Sequence, residues 1–154
     1  MSACYTLHTD GGARGNPGPA GAGIVLRDPS GSTVCAGGRY LGEVTNNVAE
    51  YEALIWGLET AASQGVRRLI VNADSELVVK QMKGQYRVKH PGLRPLYEKA
   101  CSASSKIGHV EFVHVRREQN KDADELANRA MDVKGVVGSA AWPACDGGQG
   151  TLFG

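Results

Sequence analysis

A change of rhythm near residue 45 limits the folds open to this chain. Before it, Ala3–Asp10, Gly21–Arg27 and Thr33–Leu41 are β-prone runs. The first stops at Gly11-Gly12, and the last two flank the turn Asp28-Pro29-Ser30-Gly31. Gly15-Asn16-Pro17-Gly18-Pro19 reads as a rigid loop between the first and second runs. Three strands so closely joined predict an antiparallel meander. After residue 45 the spacing becomes helical, with Leu54, Ile55, Leu58, Ala61 and Ala62 recurring within Asn46–Gln64. Thr45, Asn46 or Asn47 can cap that helix, and Gly65 suits its end. A strand over Arg68–Ala73, helices over Ser75–Met82 and Leu93–Ser104, a strand over Val110–Val115 and a helix over Asp122–Met131 complete the pattern. A meander followed by alternating helices and strands predicts an α/β fold with a mixed sheet flanked by helices.

The chain has 154 residues, 42% of them apolar, which suits one domain with its own core. Residues 1–134 form that expected domain. Residues 135–154, punctuated by glycine and without periodicity, are expected to form a flexible tail. No run approaches the ~20 apolar residues that cross a bilayer, so no membrane partner is expected. The N-terminus shows no basic segment followed by an apolar run, and no secretory signal is read there. Cys4, Cys35, Cys101 and Cys145 lack metal-ligand spacing and read as reduced thiols in a cytoplasmic monomer. Net charge is only +1, but no acid falls between Glu76 and Glu98, where Lys80, Lys83, Arg87, Lys89 and Arg94 cluster. On charge alone this patch reads equally as a solvated face or as a surface for a polyanion.

The acids carry the chemistry. Asp10 ends the first strand and Asp74 ends the strand Arg68–Ala73. If those strands are parallel neighbours, both carboxylates share one sheet edge, the edge where open α/β sheets bind ligands. Each aspartate taken singly reads better as a turn or helix cap. On the first helix, Glu50 shares a stripe with Leu54, Leu58 and Ala61, whereas Glu52 shares one with Glu59 and Ser63. A carboxylate on the inward stripe is costly unless it has a partner, which singles out Glu50 and leaves Glu52 facing water. Among Asp122, Asp124 and Glu125 physical reasoning does not choose, since negative charge at a helix start is favourable anyway. Converging carboxylates would repel and raise one another's pKa unless divalent cations lay between them.

Four segments together are distinctive: Asp10 to Pro19, Thr45-Asn46-Asn47-Val48-Ala49-Glu50-Tyr51, Asp74-Ser75 and Asp124-Glu125-Leu126-Ala127. In this order and spacing they resemble type 1 ribonuclease H over residues 3–134. The resemblance implies a five-stranded mixed sheet, the meander plus two parallel strands, with helices on both faces. It implies catalytic acids Asp10, Glu50, Asp74 and Asp124 holding two Mg²⁺ ions, or Mn²⁺ in their place, ~4 Å apart. By analogy Asp10 bridges both ions, Asp124 joins it on the ion that activates water, and Glu50 and Asp74 join it on the leaving-group side. The implied reaction is hydrolysis of the RNA strand of RNA–DNA hybrids, leaving 5′-phosphate and 3′-hydroxyl ends. Some relatives also cut double-stranded RNA, so that duplex is a second expected partner. Gly12, Gly15 and Asn46 match positions along the RNA, where the 2′-OH distinguishes the strands. Asn16, Thr45 and Asn47 match positions associated with the DNA strand.

The chain also departs from the family. Glu76 stands where many members have an RNA-contacting Gln, and an ionised carboxylate cannot donate as Gln does. The loop before the last acid lacks the family's histidine. His114 is expected on the strand before that loop in a structural role, with catalytic assistance as the alternative, and Arg116 or Arg117 is placed to approach the scissile phosphate instead. With no room for a basic protrusion, the patch Lys80–Arg94, Lys89 included, is expected to take part of the DNA grip. In the tail, Gln149-Gly150-Thr151-Leu152-Phe153 resembles a peptide that docks on a sliding clamp, with folding back of Leu152 and Phe153 as the alternative.

Overall fold

The computed structural model describes residues 3–138. Strands β1 (Cys4–Ala13), β2 (Gly18–Arg27) and β3 (Thr33–Val44) form the meander. Helix α1 (Asn46–Ser63) follows, then β4 (Arg68–Ala73), α2 (Glu76–Met82), α3 (Arg94–Ile107), β5 (His109–His114), a 3₁₀ turn (Arg117–Asn120), α4 (Lys121–Val133) and β6 (Val136–Gly138). The sheet order is β5-β4-β1-β2-β3-β6, with β4 parallel to both β1 and β5 and the other pairs antiparallel. The expected mixed sheet is therefore present, with one strand more than the five anticipated. Val136–Gly138, at the start of the segment read as a tail, pairs with Gly37–Arg39. Three residues are too few to show a period of two, so the glycines around them dominate any reading of the sequence. The segment Gln149–Phe153 and Cys145 lie outside the described residues, while Cys4 and Cys101 are free thiols and Cys35 is buried.

Alternation along β1 sorts the two layers. Leu7 and Thr9 point to α1, where Gly57 lets the helix pass close above them. Leu7, Ile24, Leu26, Leu54, Ile55, Trp56, Leu58, Leu69 and Val71 form the main core on that side, closed from outside by Ala100, Ala103 and Ile107 of α3. Each large apolar side chain fully buried there stabilises the fold by roughly 1.5–3 kcal/mol. Because α1 lies between the sheet and α3, it is covered on more than one side. Glu52, expected to face water, is instead half-buried and lies within electrostatic reach of Arg39 on β3. Helix α4 packs on the opposite face through Ala123, Ala127 and Ala130. The thin alanine face allows close approach to β2 and β3, and this approach sets the position of the last acid.

Candidate active site

Two strand ends and two helices converge on one place. In the parallel ladder Thr9 is opposite Ala73, so Asp10 and Asp74 are the next residues on neighbouring strands. Two glycines then admit the helices. A Cβ on Gly11 would strike the Ala49 carbonyl and the backbone of Glu50, so only glycine lets α1 sit this low. The Gly11 N–H donates to Glu50 Oε1 at 3.1 Å and fixes that carboxylate beside β1. On the other face Gly23 lies directly opposite Asp10 in the β1–β2 ladder, and a Cβ there would strike the Ala123 carbonyl of α4. The residue after Ala123 is Asp124, which comes within hydrogen-bonding range of Asp10.

Carboxylate oxygens of Asp10, Glu50 and Asp74 lie within 4.8 Å of one another, and Asp10 is only 7% exposed. Burial, then the charges of Asp74 and Glu50, push the Asp10 carboxyl up to about 9. Burial and Asp74 push Glu50 up to about 8, opposed by the Gly11 N–H and by Arg117. A cluster with this many oxygen donors and so few compensating cations fits a hard divalent ion, which would supply the missing positive charge.

A stability consequence follows from these shifts. Both folded values lie above the ordinary carboxylate range, so the protonated groups favour the folded state. Their contribution is complete near pH 4 and is lost as pH rises through 8 to 9. In a chelating buffer, Asp10→Asn should therefore raise the melting temperature over the wild type far more at pH 9 than at pH 5. A divalent ion added to the wild type should close that gap. Thermal denaturation at the two pH values checks this, and an Asn advantage that shrinks with rising pH would contradict it.

The acids line a cleft of about 560 Å³ together with Gly12, Ala13, Arg14, Asn46, His114, Val115, Arg116, Arg117, Asn128 and Met131. Asn46 Oδ1 accepts from the Ala13 N–H at 2.8 Å, and its own N–H donates to Asn16 Oδ1 at 3.1 Å. These bonds stitch the glycine loop to the start of α1. Thr45 Oγ1 accepts from the Val48 N–H at 3.2 Å, the capping role open to it from sequence. Asn16, Thr45 and Asn47 line a smaller depression with Val48, His90 and Leu93. Arg117 Nε lies 4.0 Å from Asp74 Oδ2 with its side chain largely in solvent, and His114 is the last residue of β5.

Gly15, Glu76 and Lys89 border neither depression. Gly15 has a φ of 108° in the exposed loop, Glu76 pairs with Lys80 at 3.1 Å, and Lys89 is exposed between α2 and α3. The sequence reading missed Arg14 and Asn128 as cleft residues. Arg14 reaches Asp132 at 2.8 Å and the Asn128 carbonyl and Oδ1 at 3.3 Å, bracing the glycine loop against α4. Asn128 lies one turn beyond Asp124, a spacing that could have pointed to it.

The chain is similar to known proteins over most of its length. The family model described as reverse transcriptase-like matches residues 8–130. The bifunctional protein Rv2228c of Mycobacterium tuberculosis is 47% identical over 127 residues, covering 82% of this chain and 35% of that protein. Ribonuclease HI of Halobacterium salinarum is 43% identical over 123 residues, covering 80% of this chain and 62% of that enzyme. The chain thus spans between about a third and three-fifths of these curated relatives. Among solved structures, the N-terminal RNase H domain of Rv2228c superposes with a TM-score of 0.83 at 43% identity, covering 86% of this chain and 96% of that one. LC11-RNase H1, solved in complex with an RNA/DNA hybrid, gives 0.79 at 46% identity, covering 84% and 97%.

Proposed function

Because the chain belongs to the type 1 ribonuclease H family, we propose that it hydrolyses the RNA strand of RNA–DNA hybrids within this cleft. The observation that carries the proposal is the convergence of Asp10, Glu50 and Asp74 within 4.8 Å, with Asp124 against Asp10. The donor set, carboxylate oxygen throughout, suits Mg²⁺, with Mn²⁺ as a substitute. A pair of such ions, when bound, supplies the charge that activates water and stabilises the leaving 3′ oxygen. The reading gives 5′-phosphate and 3′-hydroxyl products.

The chain's own residues supply placement. Gly12 exposes backbone at the cleft wall, where a side chain would stand between the protein and a ribose. Asn46 holds the glycine loop to α1 and lines the same wall, beside the strand that would carry the 2′-OH. Asn16, Thr45 and Asn47 border the neighbouring depression, where the second strand's backbone would run. Arg117 reaches toward Asp74 from the exposed rim and is placed to meet a phosphate entering there.

Four labelled duplexes test the reading: RNA–DNA, RNA–RNA, DNA–DNA and a DNA duplex with one embedded ribonucleotide, each with Mg²⁺ or Mn²⁺. The hybrid should be cut fastest, with 5′-phosphate ends, and the all-DNA duplex should stay intact. Cutting of RNA–RNA would widen the substrate class, because it shares A-form geometry and 2′-OH groups with the hybrid. An intact hybrid with both metals, under conditions where the protein binds it, would leave a binding module and overturn the proposal.

A further inference from the structure

Asn120 stands at the first cap of α4, a position where asparagine usually accepts a hydrogen bond from the helix backbone. Its side chain makes no such bond among the described residues. Instead Nδ2 donates to the carbonyl of Thr9 at 2.8 Å, across 111 residues of sequence. Both partners are deeply buried, Asn120 at 1% exposed and Thr9 at 2%. Asn120 Oδ1 finds no protein partner among the described residues, so the amide is only half satisfied. A half-satisfied buried amide is a net burden on folding compared with an apolar side chain of its size. Its contribution is therefore directional, a bond from one particular donor to one particular carbonyl.

That bond lies next to the acids. Thr9 immediately precedes Asp10 on β1, and Asn120 is the N-cap of α4, four residues before Asp124. The two elements joined by Asn120 are thus the two that bring Asp10 and Asp124 together. The hydrogen bond ties the start of α4 to β1 one residue away from Asp10.

We propose that Asn120 is a positioning residue, holding α4 to β1 through the Thr9 carbonyl so that Asp124 and Asp10 take up a divalent ion together. The inference rests on the reading of the four acids as a metal site. It is tested with Asn120→Leu, which keeps the branched shape and removes the donor, and with Asn120→Ala. Mn²⁺ is titrated by calorimetry into each metal-free protein, and the Mn²⁺-induced rise in melting temperature is recorded on the same samples.

Loss of such a supporting bond should weaken Mn²⁺ binding by about tenfold in both variants. The metal-induced rise in melting temperature should shrink with it. In Asn120→Leu the metal-free melting temperature should stay near that of the wild type. Cleavage assays should show a lower kcat with KM for the hybrid unchanged, and excess Mn²⁺ should restore part of the rate. A merely structural role would lower the metal-free melting temperature and leave Mn²⁺ affinity and the metal-induced increment as they were. That result, or the absence of a folding transition in both variants, would overturn the proposal. A wild type that binds no Mn²⁺ would instead overturn the metal reading itself.

Discussion

Asp10→Asn should lower hybrid cleavage by roughly a thousandfold, a loss of about 4 kcal/mol of transition-state stabilisation, while hybrid binding survives. Asp10 is the acid on which the others act: Asp74 and Glu50 through charge, and Asp124 through a side-chain hydrogen bond. An amide of the same shape keeps the packing and removes the charge that would draw divalent ions between them. Binding should persist because the surfaces proposed for the two strands, Gly12 and Asn46 in the cleft and Asn16, Thr45 and Asn47 in the neighbouring depression, do not depend on that charge. Single-turnover cleavage and a binding isotherm in the same buffer separate the two quantities. Glu50→Gln should approach the same loss. Glu52→Gln, two residues along the helix, should change the rate by no more than about threefold, because it sits beside Arg39 and away from the cleft. Full activity in Asp10→Asn would remove the metal assignment, and a severe loss in Glu52→Gln would move the site to another face of α1.

The reasons some of these acids were legible in sequence and others were not are physical. Asp10 and Asp74 could be paired because each ends a β run, and parallel neighbours necessarily bring strand ends to one edge. Glu50 could be separated from Glu52 because a helix has a period, and a carboxylate on the Leu54–Leu58 stripe must lie inward. That same reasoning failed for the environment of Glu52. A single apolar stripe predicts one buried face, whereas α1 is wedged between the sheet and α3 and leaves its second face only partly in water. Asp124 was not separable from Asp122 and Glu125 by physics, since all three satisfy the helix dipole equally. What decides among them is which face α4 turns to β2. Asp122 faces out to Arg27 at 2.7 Å, and Glu125 is exposed. Ala123, Ala127 and Ala130, spaced on one face, were the available sign of that orientation. Asn120 carried a misleading sign, because its place in the sequence points to capping while its side chain crosses to β1.

Gly23→Val should be the most damaging change outside the acids, and it follows from the same orientation. Gly23 is opposite Asp10 on the neighbouring strand, and its missing side chain is the space that the Ala123 carbonyl fills. The Ala127 nitrogen also lies only 2.9 Å from where a Cβ would be. Neither obstacle is the end of a flexible side chain; both are helix backbone, so α4 must lift as a unit or β2 must bend. Overpacking of this kind costs about 1–3 kcal/mol. For a domain of this size that is roughly 3–10 °C in melting temperature. The effect on rate should be larger than the effect on stability, because Asp124 moves with α4, and a displacement of about 1 Å can cost ~10²-fold in rate. Gly12→Ala is the contrasting change. A Cβ on Gly12 meets nothing within 4 Å, so the melting temperature should hold while KM for the hybrid rises, the new methyl group standing at the cleft wall. Melting curves and kcat measured well below the transition separate the two glycines. If Gly23→Val kept both stability and kcat, the close seat of α4 would not be what carries Asp124 to Asp10.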